Sequence, residues 1–186
     1  RNEAKRVFRF NKDRMDISHL LYHPQIPVVR TDAMKYNEML NLPYGENAIV
    51  AIASYGGYNQ EDSLVFNQSA IDRGIFRADS VKKYHGQISK NPSTSQNDIF
   101  VKPDPNKVTQ MKQANYDKLN DKGYVPEETP VENGDIIIGK VSPIQPTGQN
   151  NKVYKDNSVI FKSNVDGVID RVHTNIYDSD GYEMYN

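Results

Sequence analysis

The chain has 186 residues, 37% of them hydrophobic and 25% charged, with a formal net charge of -1. That allows one medium domain or part of a larger one, and argues against a free-standing nucleic-acid binder, which normally carries a basic excess, though not against a piece of one. Cysteine is absent, which excludes disulfides and thiolate metal sites and weakly favours a reducing compartment; no run approaches 18 apolar residues, so no membrane-spanning helix is expected.

The chain opens on Arg1-Asn2-Glu3-Ala4-Lys5-Arg6, with no apolar core behind it and no initiator Met. It is therefore read as an internal piece without a signal peptide. No internal repeat or low-complexity tract is present, and four stretches can be separated. Residues 1–46 start basic, with Arg1, Lys5, Arg6, Arg9, Lys12 and Arg14 against Glu3 and Asp13. Interleaved with Phe8 and Phe10, these cations could follow a nucleic-acid backbone; one solvated helix face is the commoner outcome. His19 and His23 are four apart and would share a helix face, as zinc ligands can. No third ligand accompanies them and Pro24 ends any such helix, so packing or surface roles are the plainer reading.

Residues 47–85 are the most apolar and most patterned. Asn47-Ala48-Ile49-Val50-Ala51-Ile52-Ala53 lies between Gly45 and Gly56-Gly57 and predicts a strand buried on both faces. Leu64-Val65-Phe66 predicts a second, short strand. Ser69-Ala70-Ile71-Asp72 has the form of an N-terminal capping box, followed by a short helix over 70–76 that Gly74 weakens. Arg73 and Arg77 flank that helix and could orient the preceding loop or reach a phosphate.

Residues 86–130 are polar and irregular, broken by Pro92, Pro103, Pro105 and Pro126, and read as a long insertion. Residues 131–186 read as short strands joined by turns. Asn133-Gly134 supplies a tight turn before Ile136-Ile137-Ile138, and Asp166-Gly167 separates Val159-Ile160-Phe161 from Val168-Ile169. Asp178-Ser179-Asp180-Gly181 begins like a calcium loop but lacks the later ligands, so it reads as a turn. Residues 145–157 are polar and Gly/Asn-rich, a loop. The sum is a mainly β domain with short helices and a long polar insertion. The 12 tyrosines are dispersed, and no Gly-rich phosphate loop or nucleophile–base pair is legible.

The chemistry concentrates in Gly56-Gly57-Tyr58-Asn59-Gln60-Glu61-Asp62-Ser63, where two adjacent carboxylates sit between the expected strands. Like charges held this close repel, and a bound divalent cation relieves the repulsion. Mg²⁺ suits such a pair, since it takes one or two carboxylates together with substrate phosphates and water. From spacing alone a plain turn or cap is the commoner reading of the pair, because adjacent acids in loops are common.

Gly57-Tyr58-Asn59-Gln60-Glu61-Asp62-Ser63 resembles the Gly-Tyr-Asn-x-Glu-Asp-Ser signature of the second-largest subunits of multisubunit DNA-directed RNA polymerases. The flanks are similar as well: Tyr22-His23-Pro24-Gln25-Ile26-Pro27, the run 45–52, and Asn67-Gln68-Ser69-Ala70-Ile71-Asp72-Arg73-Gly74-Ile75-Phe76-Arg77. Gln60 and Asp72-Arg73-Gly74 look like the archaeal, eukaryotic or large-DNA-virus branch. Gly134-Asp135-Ile136-Ile137-Ile138-Gly139-Lys140 also has a counterpart. The likeness is dense over 14–77, thin over 86–130, and recovers near 115–143.

The resemblance implies a partial hybrid-binding domain over 1–186, built around a double-psi β-barrel and incomplete here. It implies Asp62 and Glu61 as catalytic and metal-binding residues, Asp62 holding the Mg²⁺ that arrives with the nucleoside triphosphate and Glu61 acting nearby through water. Implied partners are the largest subunit, other polymerase subunits, the DNA template, the RNA transcript and nucleoside triphosphates, with no membrane, in an intracellular setting (nucleus, cytoplasm or virion by source). Two departures stand out. The family's downstream lysine motif is missing before Asn186, and Asn2-Glu3-Ala4 stands where the family has Lys-Gln-Ala near nucleic acid. The alternative is a non-catalytic assembly module of a polymerase-like complex. An independent Mg²⁺-dependent hydrolase is disfavoured, since one acidic pair offers too few ligands.

Overall fold

A computed structural model describes residues 17–37, 39–41, 43–91, 95–145 and 152–186. The basic opening run with Phe8 and Phe10, the Asn2-Glu3-Ala4 stretch and Pro92 lie outside the described residues. The chain divides into two compact units, Arg1–Lys83 and Tyr84–Asn186.

In the first unit, β1 (Ser18–Leu21) pairs antiparallel with β2 (Ala78–Val81), Ser18 opposite Val81 and Leu21 opposite Ala78. The Tyr22 N–H extends the ladder to the Arg77 carbonyl at 3.0 Å. His19 is thus on a strand, and the helix face that it would have shared with His23 does not exist. A single 3-10 turn covers Asp32–Lys35.

The one α-helix described in this unit, α1 (Gln68–Asp72), starts two residues before the helix expected over 70–76. Asn67 caps it, its side-chain oxygen accepting from the Ala70 N–H at 3.1 Å. Asparagine competes well for that role, and Ser69 and Asp72 fall inside the helix. The helix also stops early. The Ile75 N–H returns to the Ala70 carbonyl (3.0 Å) and the Gly74 N–H to the Ile71 carbonyl (2.9 Å), the paired bonds of a Schellman ending.

Polar ties hold most of this unit together. The Asn47 side chain accepts from the Val28 N–H (3.2 Å) and donates to the Ile26 carbonyl (3.0 Å), while the Asn47 N–H donates to the Gln25 side-chain oxygen (2.8 Å). The Phe76 N–H donates to the Glu46 carboxylate at 3.0 Å. Among its described residues only Ser18 and Gly74 are buried.

Two expected strands are therefore corrected. Residues 47–53 and 64–66 have no strand partner among the described residues, and Ile49 and Ile52 are wholly exposed, at 103% and 102%. Their composition suits a buried strand, but a strand exists only where a second backbone takes its N–H and C=O groups. None does so here.

The second unit carries β3 (Gly86–Gln87), β4 (Ile99–Phe100), β5 (Val108–Thr109), β6 (Pro130–Val131), β7 (Ile136–Ile138) and β8 (Lys140–Pro143). It continues with β9 (Tyr154–Asp156), β10 (Val159–Ile160), β11 (Gly167–Val168), β12 (Ile176–Tyr177) and β13 (Glu183–Tyr185). Strands β4-β8-β9-β5 form one sheet, antiparallel except for β5 beside β9. Strands β12-β13-β3 form another, and β7 with β10 and β6 with β11 form two ribbons. The architecture is mainly β with few helices, as expected, and no closed barrel is found among the described residues.

The core of this unit gathers Leu119, Val125, Val131, Ile136, Ile137, Ile138 and Tyr185. All three β7 residues are buried, so its continuous apolar run reads true. The turn at Asn133-Gly134 precedes it as expected, with positive φ on Gly134 (97°) rather than on Asn133. The Tyr185 ring stacks on Phe100 at 4.0 Å and meets the edge of Tyr124 at 5.5 Å. Residues 86–130, polar on average, still supply β3, β4, β5 and the buried Val108, Leu119 and Val125. Residues 145–157, expected as a loop, contain β9; 146–151 of that stretch lie outside the described residues. Asp178-Ser179-Asp180-Gly181 forms the turn joining β12 to β13, where the Asp178 carboxylate accepts from the N–H groups of Asp180 (2.9 Å) and Tyr182 (3.0 Å).

Candidate metal site in the acidic loop

The loop that carries Glu61 and Asp62 is built by one side chain and two turns. Asn59 Nδ2 donates to the Ala53 carbonyl at 2.5 Å, and the Tyr55 N–H donates to Asn59 Oδ1 at 2.8 Å. One amide thus bridges the entrance of the loop, as asparagine does readily because its side chain mimics a peptide unit. Inside that clamp the Tyr58 N–H reaches the Tyr55 carbonyl at 3.3 Å across Gly56 (φ 61°) and Gly57 (φ 75°). Two successive positive φ values mark a type I′ turn and call for glycine.

The second turn presents the acids. The Ser63 N–H donates to the Gln60 carbonyl at 3.3 Å, placing Glu61 and Asp62 at the turn's two central positions. Glu61 has φ 56°, left-handed backbone that costs a non-glycine residue on the order of 1 kcal/mol or more. Such strain persists only where surrounding contacts impose it, and it concentrates at working sites.

Both carboxylates are exposed, and neither has a hydrogen bond or ion pair among the described residues. Three other acids show the contrast. Asp156 is buried, accepting from the Tyr116 hydroxyl (2.5 Å), the Ser158 hydroxyl (2.5 Å) and the Ser158 N–H (3.0 Å). Burial alone would raise its pKa; the Ser158 and Tyr116 bonds outweigh that and lower it. Burial and the same carboxylate push the Tyr116 hydroxyl up. Asp135 accepts from the Glu132 N–H and the Lys118 ammonium, both at 2.7 Å, and its pKa is lowered against the effect of burial. Asp98 is buried and paired with Lys140 at 3.3 Å. Those three acids are spent on the fold, whereas Glu61 and Asp62 are left free for an outside partner.

Among the described residues no group of three His, Cys, Asp or Glu could by itself enclose a metal ion. Two adjacent carboxylates do fit a cation that brings its other ligands along, since Mg²⁺ takes one or two carboxylates plus phosphate oxygens and water. The loop could hold part of a shared metal site but not a complete one.

The remaining candidates separate cleanly. The Arg77 guanidinium lies over the Tyr22 ring at 6.0 Å, turned to packing rather than to the acidic loop. Arg73 caps the end of α1 through its backbone and is exposed. The Asn59 clamp was not assigned from the sequence. Its one available signal was an asparagine two residues after a Gly-Gly turn.

A family model described as RNA polymerase Rpb2, domain 6, matches residues 2–186. The chain is 52% identical over 174 residues to the DNA-directed RNA polymerase subunit 2 of Acanthamoeba polyphaga mimivirus, covering 93% of this chain and 14% of that protein. It is 43% identical over 177 residues to the DNA-directed RNA polymerase II subunit RPB2 of Encephalitozoon cuniculi, covering 92% of this chain and 15% of the relative. It is 40% identical over 126 residues to the DNA-directed RNA polymerase subunit Rpo2 of Saccharolobus shibatae, covering 68% of this chain and 11% of the relative. The chain thus spans a small part of the length of each. Viral, eukaryotic and archaeal relatives agree with the branch that Gln60 and Asp72-Arg73-Gly74 suggested, and the chain belongs to the RNA polymerase Rpb2 domain 6 family.

Proposed function

We propose that this chain is part of the catalytic core of a DNA-directed RNA polymerase and takes part in nucleotidyl transfer there. In this reading Asp62 holds the Mg²⁺ that enters with the nucleoside triphosphate, Glu61 assists from the same turn, and the surrounding domain lines the channel for the RNA–DNA hybrid. The observation that carries it is the pair of exposed, unpartnered carboxylates on a strained turn clamped by Asn59, in a chain of this family.

When bound, the cation offsets the charge of the triphosphate and its leaving pyrophosphate. What the chain contributes is placement. The clamp fixes the turn, the turn points both carboxylates outward, and neither must give up an internal partner to accept a ligand. Positioning and charge complementarity supply most of the catalysis in phosphoryl and nucleotidyl transfer. An incomplete ligand set is an advantage here, because the site then gains its affinity only when substrate arrives. The tightly bound metal would come from the largest subunit, and the other partners would be the remaining subunits, template DNA and transcript.

The uncovered apolar segments support a double-psi barrel completed outside this chain. Residues 47–53 and 64–66 have the composition of buried strands, and no described residue pairs with them. The test is single-nucleotide addition on a primed scaffold by reconstituted polymerase carrying Asp62→Ala, with assembly followed in parallel. An intact complex that adds nucleotide at the wild-type rate overturns the catalytic reading and leaves an assembly module. An intact complex with strongly reduced addition supports it.

A further inference from the structure

The second unit contains an open cleft of about 680 Å³ whose lining residues include Lys112, Lys140, Lys162 and His85, together with Gln87 and Asn157. No carboxylate lines it. Its lining includes the half-buried aliphatic residues Val159 and Ile160, and its one aromatic ring is the His85 imidazole.

The cations are not equivalent. The Lys140 ammonium is neutralised by Asp98 at 3.3 Å and donates to the Gln87 carbonyl at 3.0 Å. The Lys112 ammonium donates to the Ser158 carbonyl and forms no ion pair among the described residues, while Asp156 accepts from the backbone N–H groups of Lys112 (3.2 Å) and Ser158 (3.0 Å). Lys162 and His85 are exposed, and their side chains have no hydrogen bond or ion pair among the described residues. Lys112 and Lys162 thus line one cavity without an ion pair among the described residues, although Asp178 is bonded to Gln87 and Asp98 to Lys140 beside them.

We propose that this cleft binds a phosphate group. Lys112 and Lys162 supply the charge, and Lys140, held by Asp98, forms part of the same lining. Ammonium groups suit a phosphate as point charges, Lys112 held in place and Lys162 free to swing in. Of the amides in the lining, Gln87 donates to the Asp178 carboxylate and Asn157 to the Ser142 hydroxyl, and each keeps one further N–H for a phosphate oxygen. With one imidazole and two lysines that form no ion pair, the lining favours the charge of a phosphate over the faces of successive bases. Two sources share that chemistry, a nucleic-acid backbone and a free phosphate ion. The proposal does not depend on the roles of Glu61 and Asp62.

The test is lysine acetylation of the assembled polymerase, read by mass spectrometry at Lys162, in low salt. Three samples are compared: polymerase alone, with a DNA–RNA scaffold, and with inorganic phosphate. At ten times its dissociation constant a ligand leaves about one tenth of sites free, so Lys162 should react about tenfold more slowly when the cleft is filled. Protection by the scaffold alone identifies a backbone phosphate, and protection by inorganic phosphate identifies a free ion. Lys112→Gln, or His85→Ala should the former not assemble, must weaken that protection. Lys162 that is unreactive in the free polymerase, that reacts equally in all three samples, or whose protection survives both substitutions overturns the proposal.

Discussion

Asn59 donates its side-chain amide to the Ala53 carbonyl at 2.5 Å, six residues back along the chain. The same side chain accepts from the Tyr55 N–H, so a single residue sets the width of the acidic loop. Asn59→Ala removes both bonds while leaving the carboxylates in place. Nucleotide addition should fall roughly 10- to 100-fold, the usual penalty for an ångström-scale misplacement of a catalytic group. Rapid-quench kinetics checks this, with assembly unchanged.

The Asp156 cluster is a structural fastener, and its loss should be felt in stability rather than chemistry. Asp156 joins residues 40 positions apart through the Tyr116 hydroxyl. Replacing it with alanine removes the short bonds from the half-buried Tyr116 and buried Ser158 hydroxyls and leaves them only the Lys112 and Lys140 carbonyls at 3.4 Å, at a cost of about 1–3 kcal/mol. Urea unfolding of the chain should show a lower midpoint with an unchanged slope.

The same pair predicts a two-sided pH profile. The Asp156 pKa is lowered in the fold, so its contribution is present above the unfolded carboxylate range near about 4 and is lost as pH falls below it. The Tyr116 pKa is raised, so its contribution is present below the unfolded tyrosine value of about 10 and is lost as pH rises beyond it. Thermal melts against pH should show a plateau between these limits. Asp156→Ala should flatten the acid side.

Gly139 marks a place where backbones nearly touch. Its N–H donates to the Gly123 carbonyl at 2.8 Å and its carbonyl accepts from the Val101 N–H at 3.1 Å. A Cβ there would sit 2.5 Å from the Val101 carbonyl oxygen, so backbone must move. Gly139→Ala should destabilise by roughly 1–3 kcal/mol or more, the range for overpacking, again read from the unfolding midpoint.

These cases show which features were legible in the sequence. Ile136-Ile137-Ile138 was readable because it is continuous, β-branched and preceded by a Gly turn, and its burial is local to one strand. The acidic loop was readable as a motif because its seven residues are contiguous. The apolar run 47–53 looked the same as a buried strand, but composition does not reveal whether a partner strand is available. The cap of α1 was misplaced by two residues because Asn67 and Ser69 are both competent caps and only geometry chooses. The Tyr116–Asp156 bond and the convergence of Lys112 and Lys162 on one cleft join residues far apart in sequence, which no local pattern encodes.

The central claim, that Asp62 is a ligand for the cation carried in by the nucleotide, is tested most directly by the Mg²⁺ dependence of single-nucleotide addition with Asp62→Asn in the assembled polymerase. Loss of one charged ligand worth about 1.4 kcal/mol raises the half-saturating Mg²⁺ concentration about tenfold. The account predicts that shift, with addition partly restored at high Mg²⁺. A reduced rate with an unchanged half-saturating Mg²⁺ concentration would contradict it.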